Sequence, residues 1–290
     1  MSADAAPSSG KPPTPIQPST PIRWPLRAWL VVEVFFGITA ILSAFLRPED
    51  TAETFAWPIQ PVVMAAVLGA FYLAAGSLFA LGLFARRWEE LRVIVIPSII
   101  FTAAMLLTTF LHWAKFSVGT LPFYVWFASY ILPPPAFMAL YWWHQRESVS
   151  GAGALAQPLA AGPRRFFEIN GYLVTALALI CYLSPSLMQM DAPWNITPLA
   201  GRALCGWLLA YGLLQLSMAR EGEWARIRLA TAMLMLLPLA LFMQLGRFAV
   251  EVRWASLPLW VLLVDVSLGG LLCLALWLRP GLRHYGLVQK

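Results

Sequence analysis

Eight long apolar stretches dominate this sequence, at about 28–46, 62–85, 93–113, 121–143, 166–190, 199–219, 229–246 and 257–278. A helix needs about 20 residues to cross a hydrocarbon core of about 30 Å, so each stretch is of spanning length, the seventh being the shortest. Lipid leaves a spanning backbone two ways to satisfy its polar groups, the α-helix and the closed barrel. Continuous apolar runs, rather than alternation over ten-residue segments, exclude the barrel. Composition agrees, since only 12% of the 290 residues are charged, against about a quarter in a soluble chain. The expected fold is an all-α integral membrane protein of about eight transmembrane helices, with the lipid bilayer as its first partner.

Basic residues set the orientation. With the N-terminus inside, fifteen Lys and Arg fall in cytoplasmic segments and five (Arg47, Lys115, Arg202, Arg247, Arg253) outside. The positive-inside rule then places both termini in the cytoplasm and the protein in the bacterial cytoplasmic membrane. The calculated pI of 9.5 is therefore a topology signal, and no nucleic-acid partner is expected. Residues 1–25 lack the apolar region of a cleavable signal, so the first helix is expected to act as the targeting segment. Pro12, Pro15, Pro18 and Pro21 recur every third residue in that tail, the period of a polyproline II face.

The second part of the chain restates the first. At an offset of 137 residues Arg27 matches Arg164, Trp57 matches Trp194, Pro61 matches Pro198 and Gly69 matches Gly206. At 136, Trp88 matches Trp224, Arg92 matches Arg228 and Pro122 matches Pro258. This register predicts a tandem duplication of a four-helix unit. The expected organisation is a disordered tail (1–25), a first repeat (26–143), a cytoplasmic linker (144–162), a second repeat (163–279) and a C-terminal tail (280–290). Four crossings return the chain to its starting side, so the two repeats are expected to be parallel, related by an axis along the membrane normal.

The segment Phe55-Ala56-Trp57-Pro58-Ile59-Gln60-Pro61, followed by Ala65-Ala66-Val67-Leu68-Gly69-Ala70-Phe71-Tyr72 and by Thr108-Thr109-Phe110-Leu111-His112, resembles a pattern in uncharacterised bacterial polytopic membrane proteins. The resemblance covers about residues 54–140 and implies the topology but no activity. Trp57 and Pro61 read as an interfacial anchor and a helix start, with Trp194 and Pro198 as their second copy.

Candidate chemistry is sparse. Pro133, Pro134 and Pro135 interrupt the fourth helix and deprive the Ser129 and Tyr130 carbonyls of their usual donors. Gly269 and Gly270 occupy the matching place in the eighth. Paired interruptions in two repeats point to a midplane binding site, because unwound backbone persists in membranes only where it lines a cavity. Asp265 lies one turn before Gly269, about 12 Å from the outer helix end, and an ionisable group at that depth is a functional candidate. Arg202 is a candidate partner. Glu33 and its mate Asn170 are secondary polar candidates, expected near the cytoplasmic surface, and His112 is read as an interfacial group.

No catalytic residue, metal site or cofactor is expected: the three histidines share no depth, and no HExxH, Walker or G-x-S-x-G motif occurs. Two functional classes lead, with an intramembrane enzyme or cofactor carrier as a third. One is a permease-like protein moving a small solute or ion through a site at the helix 4 and helix 8 interruptions. The other is a non-catalytic accessory or assembly protein, with a membrane-protein partner or a second copy of itself.

Overall fold

The computed structural model describes residues 20–147 and 157–279. Among them the chain forms ten α-helices and no strand: α1 (Trp24–Ala40), α2 (Thr51–Thr54), α3 (Val62–Gly82), α4 (Trp88–Leu111), α5 (Leu121–Ile131), α6 (Pro133–Glu147), α7 (Ala161–Leu183), α8 (Pro198–Glu221), α9 (Trp224–Arg247) and α10 (Leu257–Leu278). A π-helical turn, Ile41–Leu46, prolongs α1, and α5 and α6 are the two parts of one span. Eight segments are thus long and apolar enough to cross a membrane. The protein is an all-α, multi-pass membrane protein, as its sequence led us to expect. The tail as far as residue 19, the linker from 148 to 156 and residues 280–290 lie outside the described residues.

The helix ends follow from local chemistry. Proline occupies the first turn of α1, α5, α8 and α10, where its missing N–H is not needed. Thr120 and Thr197 cap α5 and α8 by accepting from Phe123 N–H and Ala200 N–H. Gly222, at φ 59°, ends α8 in the left-handed region that glycine tolerates.

Four helices make the centre. α3 packs on α9 and α4 on α8, while α1 and the α5–α6 span cover one side, α7 lies along α8, and α10 lies along α9. Several contacts recur in both parts of the chain. Trp88 N–H donates to Thr20 O (2.9 Å), and Trp224 N–H to Gln157 O (3.0 Å). Ser117 N–H donates to Ala56 O, and Arg253 N–H to Pro193 O. Arg27 donates to the Leu83 and Ala85 carbonyls, and Arg164 to the Ala219 carbonyl. Ion pairs join the central helices at one end: Arg92 with Glu221 (2.5 Å) and Arg228 with Glu90 (2.8 Å).

Two expectations are corrected. The helix is interrupted at Pro133, where α5 gives way to α6, but α10 runs unbroken through Gly269 and Gly270. These glycines serve close packing: a Cβ on Gly270 would come within 2.9 Å of the Leu234 carbonyl oxygen, and one on Gly269 within 3.0 Å of the Tyr211 hydroxyl. Glycine costs a helix about 1 kcal/mol but does not break it, whereas three prolines remove three donors. The tryptophan expectation also fails in part. Trp57 and Trp194 are buried in the protein rather than set in the interface, because Trp57 packs on Phe55, Phe116 and Trp126 and Trp194 on Met64.

The tightest contact lies between α3 and the π-helical turn, where a Cβ on Gly69 would stand 2.5 Å from the backbone of Ala44 and Phe45. Backbone atoms cannot yield as a flexible side chain can. Gly69→Ala should therefore lower stability by about 1–3 kcal/mol, the usual cost of overpacking, seen as a lower melting temperature in detergent. Gly206→Ala, which would meet the end of Met105 at 3.4 Å and the Phe101 ring at 3.9 Å, both ordinary contacts, should leave the melting temperature unchanged or raise it.

Candidate functional site

A cavity of about 260 Å³ opens among α1, α3, α4 and α5, with α8 closing its inner wall. On α1, Glu33, Gly37 and Ala40 share the face turned toward it, as the three- and four-residue spacing of a helix requires. Gly37 brings α1 close to α3, its added Cβ lying 3.5 Å from Gly76 Cα. The π-helical turn is held over one end by Ser43, whose hydroxyl donates to Thr39 O (2.9 Å) and Thr54 O (2.8 Å).

Aromatic rings, among them Phe55, Tyr72, Phe101, Trp126, Tyr130 and Trp207, form part of the wall, backed by Trp57 and Phe116. Phe55, Trp57, Phe116 and Trp126 pack edge to face, with Phe55–Trp126 and Trp57–Trp126 centroids 5.3 and 4.7 Å apart, the geometry that ring quadrupoles favour. Trp126 is fixed by its indole N–H donating to Thr109 Oγ1 (3.0 Å). Deeper in, Phe101 and Trp207 have ring centroids 4.0 Å apart. The Tyr72 and Tyr130 hydroxyls meet at 2.6 Å. Thr54, Phe55 and Ala56 thus line this chamber, and Trp57, 4% exposed, packs behind them on Phe55 and Trp126.

Glu33 is the exception in that wall. It is 7% exposed, its Oε1 has no hydrogen-bond partner, it faces Trp29, and no basic residue lines the cavity among the described residues. Glu33 was expected near the cytoplasmic surface; it stands in the cavity wall, on a helix that begins at Trp24 rather than near residue 28. Pro25 permits that earlier start, and Arg27 is accommodated by the carbonyls at the end of α3. Nine residues of helix put Glu33 about 13 Å from the start of α1.

The structure divides the other candidates. Ser129 and Tyr130 line the cavity with Glu33; Pro133 and Pro134 do not, and act by ending α5 just beyond it. Asp265 and Asn170 lie together between α7, α8 and α10, where Asp265 faces Asn170 and Tyr211 and Asn170 donates to Gln215 Oε1 (3.1 Å). Gly269 belongs to that packing, beside Tyr211, whereas Gly270 packs on α9. Arg202 does not partner Asp265. It donates instead to Tyr182 O (3.2 Å) and to His112 Nε2 (2.7 Å) at the C-terminal end of α4. The single shared site expected at two helix interruptions is therefore three separate places. Sequence gave no sign of Phe101, Trp126 or Trp207, whose meeting depends on packing between distant helices.

No protein-family model, curated protein or solved structure matches the chain. The reading of the site therefore rests on its geometry.

To accept the Arg202 N–H, His112 must be neutral at Nε2. Burial, and then the charges of Arg202 and Lys115, hold its pKa below the ordinary histidine value. A depressed folded-state pKa contributes stability above the unfolded value, about 6.5, and loses it as pH falls through the folded value. The melting temperature should therefore drop between about pH 7 and pH 5. His112→Gln, which keeps an acceptor but does not titrate, should flatten that part of the profile.

Proposed function

We propose that this protein is a permease-like carrier of a small, mainly apolar molecule, and that the molecule binds in the cavity among α1, α3, α4 and α5. The observation that carries the reading is an aromatic chamber inside a membrane protein with one unpartnered carboxyl oxygen in its wall. Its volume would hold about nine waters, near the lower limit of small-molecule sites. The interruption between α5 and α6 adjoins the chamber, and a discontinuous helix beside a binding site is how transporters let one part of a bundle move against another.

The proposal includes the duplication and the orientation. Recurrent backbone contacts at matching positions, such as Trp88 to Thr20 and Trp224 to Gln157, support two parallel four-helix repeats. So does the exchange by which α3 meets α9 and α4 meets α8. The charge bias supports cytoplasmic termini and residence in the bacterial cytoplasmic membrane. On this reading only the first repeat keeps an open chamber. In the second, α7 and α8 lie in closer contact: a Cβ on Gly171 would stand 2.9 Å from the Gly212 carbonyl oxygen.

Ala75 lines the chamber, and Ala75→Phe should fill it. The fluorescent probe 1-aminoanthracene should bind the purified protein saturably, and the variant should weaken that binding by about tenfold or more, equivalent to about 1.4 kcal/mol. The same variant should slow entry of the probe into proteoliposomes while the melting temperature is maintained. Saturable binding that Ala75→Phe leaves untouched would remove the cavity from the account.

A further inference from the structure

The chamber's wall is electrically one-sided. Its serine and threonine hydroxyls are already donating to backbone carbonyls: Thr39 to Phe36 O, Ser98 to Ile94 O, Thr102 to Ser98 O and Ser129 to Trp126 O, all at 2.7–2.8 Å. One tyrosine hydroxyl donates to the other within the Tyr72–Tyr130 pair. Beyond the second proton of that pair, the Trp207 indole N–H in the wall and the Trp29 indole N–H facing Glu33 behind it are donors left without a partner. What remains toward the chamber is hydroxyl oxygen, ring faces and Glu33. Ring faces carry the negative part of the aromatic quadrupole, and a carboxylate far from bulk water is costly without a countercharge.

From this we infer that the ligand is a lipophilic organic cation, a protonated or quaternary amine with an apolar body. The inference rests on the cavity reading above and adds the charge. The ammonium would sit beside Glu33, supplying the countercharge that no lysine or arginine in the wall supplies. Phe36, Phe79 and Phe101 line the chamber, and a desolvated cation is attracted to the negative face of such rings. An anion would meet the opposite: one carboxyl group and few free donors. The path is also suited to an amphiphile. α1 and α5 both line the chamber but approach each other at few places, and Leu121 on α5 is 75% exposed toward the surroundings. A molecule dissolved in the bilayer can reach the chamber between them without passing through a polar vestibule.

The test uses the full chain in phosphatidylcholine nanodiscs and two probes of one shape. One is phenethyltrimethylammonium and the other its neutral carbon isostere, (3,3-dimethylbutyl)benzene. Affinity is read from displacement of bound 1-aminoanthracene. The cation should bind about tenfold more tightly than the isostere, a difference of about 1.4 kcal/mol. Glu33→Gln should abolish that preference while leaving the isostere's affinity within about twofold. If Glu33→Gln does not yield a monodisperse protein, Phe101→Leu provides a second variant. It should weaken the cation several-fold more than the isostere, since only the cation uses the ring face. Equal binding of the two probes by the wild type, or a preference that survives Glu33→Gln, overturns the cation assignment and leaves the cavity reading standing. Failure of both probes to displace 1-aminoanthracene overturns the cation assignment too. If that probe also proves insensitive to Ala75→Phe, the cavity reading falls with it.

Discussion

Close contact between the central helices is the condition on which the rest of this protein depends. Within lipid no hydrophobic force drives one helix onto another, so association relies on van der Waals contact and on the small residues that let backbones approach. Gly69 admits the π-helical turn to α3, Gly212 admits Thr175 and α7 to α8, and Gly270 admits α9 to α10. The outer spans are held through these points. Where a glycine-to-glycine approach leaves more room, as between α1 and α3 at Gly37 and Gly76, the chamber appears beside it.

The two parts of the chain use matching places differently. Glu33 and Ser129 line the open chamber, whereas their mates, Asn170 and Asp265, face each other in a close-packed region beside Tyr211. Each part thus carries one carboxyl group between its first and last spans, on opposite members of the pair. On the duplication proposed here, one ancestral polar contact has been kept as packing in one repeat and opened to a cavity in the other.

Much of the architecture was legible because a bilayer imposes length and apolarity on every span, and these are properties of the chain itself. The α5–α6 interruption was legible for the same reason, since three missing donors act locally. Glu33 was undervalued because Arg27 looked like the edge of a helix. A charge can lie inside one when carbonyls from a neighbouring helix end receive it, and sequence does not show the neighbour. Gly269 and Gly270 misled in the opposite direction. Glycine in a helix signals either weakness or close approach, and only the position of α9 distinguishes them. The aromatic chamber was out of reach, being assembled from α3, α4, α5, α8 and the segment before α3. Trp57 was misread with it, for a tryptophan beside proline at a span boundary looks the same whether it faces lipid or lies under its own loop.

The packing of α3 on α9 and of α4 on both α8 and α9 has a bearing on how the protein is made. Residues that touch across these contacts are separated by more than a hundred positions, as Glu90 is from Arg228 and Arg92 from Glu221. During synthesis the first four spans enter the membrane while the surfaces that will receive α8 and α9 are still bare, and Glu90 and Arg92 wait for partners not yet translated. Domains usually fold as units in the order they emerge; here the order is inverted, because the first unit is finished only by the second. The centre of the protein is therefore the last part to be completed, and the time between the fourth span and the ninth helix is when the nascent chain is most open to misassembly with its neighbours.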